Sequence, residues 1–237
     1  MGPHSHKHHT QFVSFSGIDG AGKSTQIEAL RTHLEDAGLR VRVIRFWDDV
    51  ACLTSMRETA GHTLFKGDKG VGSPDNPIER RDKNVRSPMM SLVRLFLYSL
   101  DAMLLVFVVR RAFRGADFVI CDRHAYDELA NLSLRRPATR MYVRLIMKIV
   151  PRPDVSYFLD ADPIQARARK PEYPLDFLIS CRESYLTLSE IVGGITIIPP
   201  MPIREVQEEI LRHISLGPAF QRAAKHLVEE PGGGAAA

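Results

Sequence analysis

Cysteine is scarce in this 237-residue chain. The three that occur, Cys52, Cys121 and Cys181, are far apart, odd in number and fit no CxxC spacing, which excludes a disulfide framework or a cysteine zinc site. A reducing, cytoplasmic setting is expected. Long apolar runs are missing too. The longest, Ala102 to Val109, has 8 residues between Asp101 and Arg110, whereas a membrane span needs about 20, so no membrane partner is expected. Lysine is sparse, with 8 residues against 24 arginines. No basic run interleaved with aromatics is present, which argues against nucleic acid as a partner.

What remains is an ordinary folded chain, 44% hydrophobic and 25% charged with a net charge of +4, long enough to bury one sizeable core. The arginine excess has two explanations at this point: bidentate recognition of phosphate and carboxylate, or a compositional bias of the genome. Residues 1–10, with His4, His6, His8 and His9 and no apolar core, read as a tag-like or disordered start. The Gly/Ala-rich end of 217–237 reads as a flexible extension, leaving 11–216 as one domain.

Within 11–216, short apolar runs alternate with helical periodicity. Strands are expected at Phe12 to Ser16, Val41 to Phe46, Phe118 to Cys121, Val155 to Leu159 and Ile195 to Ile198. Between them the pattern predicts helices from Lys23 to Gly38, Met89 to Arg114, Ala125 to Leu134, Thr139 to Val150, Asp176 to Val192 and Arg204 to Ile214, with a further helix starting at Pro163. The Met89 to Arg114 helix is expected to be mostly buried from its composition. Residues 61–88, rich in Gly, Pro and charge, break the periodicity and read as a mobile insertion. Such alternation predicts an α/β fold, a three-layer α/β/α arrangement around a five-stranded parallel sheet. Ligands in such folds sit at the carboxyl ends of the strands, so the polar residues after each strand carry the function.

After the first strand, Gly17-Ile18-Asp19-Gly20-Ala21-Gly22-Lys23-Ser24 fits GxxxxGK[ST], followed by Thr25. Its glycines let backbone N–H groups wrap a phosphate chain, Lys23 reaches the outer phosphates and Ser24 can hold Mg²⁺. The motif follows a strand and opens a helix, as a P-loop requires, so ATP and Mg²⁺ are the expected cofactors. After the third strand, Asp122 and Arg123 offer a carboxylate for Mg²⁺ and a fork for phosphate, or else form a local ion pair. After the fourth, Asp160-Ala161-Asp162-Pro163 leads into Arg167, Arg169 and Lys170, cations that either close over a transferring phosphoryl group or decorate a solvated helix face.

The loop from Phe15 to Gln26 resembles the opening signature of the thymidylate kinase family of nucleotide kinases. Asp122-Arg123 is similar to that family's Asp-Arg-aromatic motif, and Asp160 to Lys170 to its Asp-Pro turn and arginine-bearing lid, placed about 165–176. The chain departs at several positions. Ser16 stands where a Glu is common, His124 replaces an aromatic ring, and Asp127 stands about where the family has a serine. Phe46 to Val50 replaces a Pro-Gly-Gly-Thr type turn, Tyr98 falls where a Phe stacks on the base, and Ala102 falls where an arginine contacts it. Phe96 is a second candidate for stacking.

The resemblance implies ATP-dependent phosphorylation of a nucleoside monophosphate, dTMP to dTDP. Lys23 and the loop from Gly17 to Thr25 would hold ATP, and Ser24 and Asp122 the Mg²⁺. Asp19 would orient the acceptor, Arg45, Arg57 and Arg123 its phosphate, and Tyr98 its base. Gly20 places the chain with members that draw catalytic arginines from the lid, here Arg167 and Arg169. It also implies a homodimer packed through long apolar helices. A related kinase with a different acceptor and a non-catalytic ATP-binding regulator remain as alternatives.

Overall fold

The computed structural model describes residues 10–51 and 88–215. Five strands form one all-parallel sheet: β1 (Gln11–Ser16), β2 (Val41–Arg45), β3 (Phe118–Asp122), β4 (Val155–Leu159) and β5 (Ile195–Ile198), in the order β2-β3-β1-β4-β5. β1 therefore lies at the centre, flanked by the strands whose loops carry the other motifs. Phe15 pairs in register with Asp122 on one side and Tyr157 on the other, and Arg45 pairs with Asp122. These pairings bring the carboxyl ends of β1, β2, β3 and β4 to one edge.

Alternation along the strands divides the core in two. Val13, Phe15, Phe118, Ile120, Tyr157 and Leu159 face one side, where α1 (Lys23–Asp36) and α7 (Ile203–Ser215) supply Ile27, Leu30, Leu34, Ile210 and Ile214. Phe12, Val119, Cys121 and Phe158 face the other. There α2 (Pro88–Ala112), α3 (Ala125–Leu129), α4 (Pro137–Ile149) and α6 (Leu175–Val192) close the layer; α5 (Pro163–Arg169) follows β4. Three layers result, as expected.

Several local expectations change. The predicted strand through Phe46 ends at Arg45, and Phe46–Val50 forms one π-helical turn closed by Ala51 N donating to the Phe46 carbonyl at 2.8 Å. The helix expected to reach Leu134 stops at Leu129, where the Asn131 side chain donates to the Asp127 carbonyl at 2.9 Å and takes a bond that a continuing helix would need. α4 begins earlier than expected because Pro137 occupies its first position.

The largest correction concerns α2. Where the uninterrupted apolar run reads as too short to span, Ser91–Ala112 is long and apolar enough to cross a membrane by length and composition, with a mean hydropathy of 2.2 over 18 residues. Where burial is expected, only 22% of those 18 residues are buried. Ala102, Leu105, Val109 and Ala112 enter the core, while Phe96, Met103 and Phe107 stand on an exposed face. Composition alone could not separate the two faces, since both are apolar. The expected insertion at 61–88 lies, up to residue 87, outside the described residues, as do residues 1–9 and 216–237.

Candidate active site

The loop after β1 is built on glycine. Gly17, Gly20 and Gly22 have φ of 147°, 82° and 89°, a region that favours residues without a Cβ. At Gly20 the neighbour matters as much as the dihedral, because an added Cβ would collide with the backbone carbonyl of Ala166 in α5. Loop and α5 thus touch backbone to side-chain position, and no arginine can occupy residue 20 in this arrangement. Lys23, at the start of α1, folds back so that its Nζ donates to the carbonyls of Gly17 at 2.9 Å and Ile18 at 2.8 Å. Burial and the nearby Arg123 pull its pKa down to about 8, although Asp19, Asp127 and Asp122 oppose the shift. Such an ammonium has no tight carboxylate partner among the described residues and is suited to meet an incoming phosphate. Ser24 and Thr25 are exposed in the first turn of α1.

Beside this loop, β3 delivers Asp122 and Arg123. Arg123 has a φ of 68°, unusual for a non-glycine residue and worth about 1–2 kcal/mol of strain. Its guanidinium is gripped from two sides: Nη2 donates to Asp19 Oδ1 at 2.5 Å and Nη1 to Asp127 Oδ1 at 3.0 Å. Burial works against the charge, but Asp127, Tyr185, Asp19 and Asp122 outweigh it and raise the Arg123 pKa. Asp19 is held below the usual carboxylate range because Arg123, Lys23 and Lys170 together overcome the opposing effect of its burial. Asp122 is pushed up by burial, against the pull of Arg123, Lys23 and Arg45. An acid in that position gains from a further cation, and with the exposed Ser24 hydroxyl it offers the hard oxygen donors that Mg²⁺ prefers.

On the other side of β1, Asp160 accepts a bidentate pair from Arg182, Nε and Nη2 both at 2.6 Å, tying β4 to α6. Asp162 caps α5 by accepting from Gln165 N at 2.9 Å, and Pro163 takes the first helical position. Arg167 and Arg169 follow in the last turn of α5; Arg169 is exposed, and Arg167 makes no side-chain hydrogen bond among the described residues. Next to the loop, a cavity of about 380 Å³ is lined by Ala21, Asp160, Gln165, Arg169, Pro199 and Met201, among others.

The fold therefore brings together the loop, Asp19, Lys23, Arg45, Asp122 and Arg123, with Arg167 and Arg169 on the adjoining helix. Arg57 lies outside the described residues. Tyr98 sits half-buried on α2, and Ala102, the position of the expected base contact, is fully enclosed in the core. Sequence reasoning missed Asp127 and Tyr185 as partners of the Arg123 charge, and the proline-rich turn after β5 as a cavity wall. The run Pro199-Pro200-Met201-Pro202 directly after a strand was the available signal for the last of these.

Comparisons with known proteins bear on the family and the fold. A family model described as methylmalonyl Co-A mutase-associated GTPase MeaB matches residues 4–51, the stretch that contains β1, the loop, α1 and β2. Thymidylate kinase of Prochlorococcus marinus (strain AS9601) is 31% identical over 164 residues, covering 68% of this chain and 70% of the relative. Probable thymidylate kinase of Archaeoglobus fulgidus is 27% identical over 209 residues, covering 85% and 93% respectively. Among solved structures, thymidylate kinase from Candida albicans shares the fold with a TM-score of 0.61 at 16% identity, over 89% of this chain and 93% of that one. With the phosphate loop, the Asp-Arg strand end and relatives matched over most of their length, the chain belongs to the thymidylate kinase family.

Proposed function

We propose that this chain transfers the γ-phosphoryl group of MgATP to the phosphate of dTMP, giving ADP and dTDP. The observation that carries the reading is the convergence beside one glycine loop of Lys23 and an arginine fork, Arg123, gripped between Asp19 and Asp127. One cation faces the donor phosphates and the other the acceptor. The acceptor phosphate oxygen is already a nucleophile, so no strong base is needed; the bond from Pγ to the β-phosphate oxygen breaks as the new P–O bond forms. Positioning and charge stabilisation supply the catalysis.

Loop amides and Lys23 hold the donor phosphates, and the cavity between loop and β5 takes the donor nucleoside. Ser24 and Asp122 would hold Mg²⁺, which neutralises charge on the donor phosphates when bound. Arg45 and Arg57 bind the acceptor phosphate with Arg123, and Tyr98 flanks the base. Arg167 and Arg169, on a lid of about 165–176, close over the transferring group. The reading extends to a cytoplasmic enzyme that self-associates through the exposed apolar face of α2.

A second reading keeps the chemistry and changes the acceptor. Ala102, fully buried where family members place a base-contacting arginine, favours it. A coupled ADP-release assay across dTMP, dUMP, the other monophosphates and free nucleosides separates the two. Highest kcat/KM on dTMP supports the first reading; preference for another acceptor by tenfold or more establishes the second. Tight ATP binding with no transfer to any acceptor leaves a regulator.

A further inference from the structure

Ser16, the last residue of β1, and Asp127, in α3, occupy one enclosed space. Ser16 Oγ donates to Asp127 Oδ2 at 2.7 Å, and the Asp127 side chain is 1% exposed. The same Oδ2 accepts from His124 N at 3.1 Å, while Oδ1 accepts from Tyr185 Oη at 2.6 Å and from Arg123 Nη1 at 3.0 Å. Since the two side chains touch, exchanging acid and hydroxyl leaves a carboxylate in the same place.

We propose that the Asp127 carboxylate is the positioning group that aims Arg123 at the acceptor phosphate, and that positions 16 and 127 are interchangeable hosts for that one carboxylate. The site tolerates one carboxylate and needs one. Two acids 2.7 Å apart in an enclosed space repel, whereas none leaves a buried guanidinium short of a partner. With Asp127 gone, Asp19 is left as the tight partner of Arg123, so the fork swings toward the loop. The competing explanation is that Asp127 only caps α3 through His124 N. An Asn at 127 retains an oxygen acceptor for that N–H but removes the charge.

The inference rests on the kinase reading, and the test keeps the two apart. Kinetics and melting temperature are measured for wild type, Asp127→Asn, Asp127→Ser, Ser16→Glu and the double variant Ser16→Glu/Asp127→Ser. The acceptor is the monophosphate that wild type uses best. The single variants should lower kcat/KM for the acceptor by about 10–100-fold with KM for ATP within about twofold, and the double variant should return to within about fivefold of wild type. Wild-type kinetics in Asp127→Asn would leave only the cap, and a double variant no better than Asp127→Ser would overturn the exchange. Absence of transfer by wild type to any acceptor counts against the kinase reading instead. The melting temperatures then decide the pairing: recovery in the double variant supports it, and additive losses overturn it.

Discussion

Replacing Lys23 by Met should make the protein more stable and nearly inactive, two effects with one cause. The Lys23 ammonium is buried against the loop and its pKa falls from 10.5 to about 8, so keeping it charged in the fold costs about 3 kcal/mol. Met removes that penalty and loses two hydrogen bonds, to the Gly17 and Ile18 carbonyls, worth about 1 kcal/mol each. A net gain of about 1 kcal/mol is expected at pH 7 without nucleotide, a rise in Tm of about 2–4 °C for a domain of this size. The sign with pH follows from linkage. Between the folded pKa of about 8 and the unfolded 10.5, the unfolded chain binds more protons, so wild type gains stability as pH rises through that window and the Met variant does not. Urea unfolding at pH 7.0 and 9.5 should therefore show the advantage of the variant vanish or reverse, with about 2 kcal/mol recovered by wild type. Turnover should fall by about two to four orders of magnitude, since a cation beside the donor phosphates is lost in the transition state. Wild-type turnover in the variant would refute the phosphate role. A variant destabilised at pH 7 would refute the burial argument.

Three further outcomes follow from the same geometry. Gly20→Ala should lower Tm by about 4–8 °C, roughly 2 kcal/mol, because its Cβ meets the Ala166 carbonyl at a positive φ; differential scanning calorimetry reads it, and turnover should fall as α5 is displaced. His124 is buried and its pKa is lowered from 6.5 to about 4, mainly by desolvation. Its unfolded form binds the extra proton, so wild type should lose about 3 kcal/mol as pH falls from about 6.5 to 4, a slope absent in His124→Phe when urea unfolding is followed across that range. Phe107→Glu, on the exposed face of α2, tests the proposed self-association: it should shift the molecule toward monomer in sedimentation velocity with the circular dichroism of the fold unchanged, and a wild type already monomeric would refute the proposal.

Much of the fold could be read from the chain because its local signals agree. Phe12 to Ser16 is β-prone, Gly17 to Gly22 is too glycine-rich to continue a strand, and Ile27, Leu30 and Leu34 recur at helical spacing. The loop residues of the site came with that pattern, since a phosphate cradle needs glycines at fixed positions. What escaped were features decided by tertiary contact. α2 is apolar on all sides, so periodicity could not say that Phe96 and Phe107 face outward. The π-helical turn at Phe46–Val50 carries no glycine or proline to announce it. Asp127 stood out in the sequence only as a departure from family pattern, and its four contacts come from β1, from α6 and from Arg123 and His124 in the turn between β3 and its own helix.

The arginines show why position alone does not identify a phosphate ligand. Arg182 and Arg123 both pair with buried acids, yet their free capacity differs. Arg182 aligns Nε and Nη2 on the single carboxylate of Asp160 and is committed to joining β4 and α6. Arg123 divides its grip, one Nη to Asp19 and the other to Asp127, which fixes the plane of the guanidinium while leaving three of its five N–H groups for an anion. Arg45 and Arg167 lie at the other extreme, with no side-chain hydrogen bond among the described residues, so each keeps its full donor set and must spend side-chain entropy on binding. A divided grip thus gives Arg123 what neither extreme has, a preset direction together with unused donors, and the second acid makes the difference. That is why loss of the Asp127 charge should weaken acceptor capture while ATP binding through Lys23 persists.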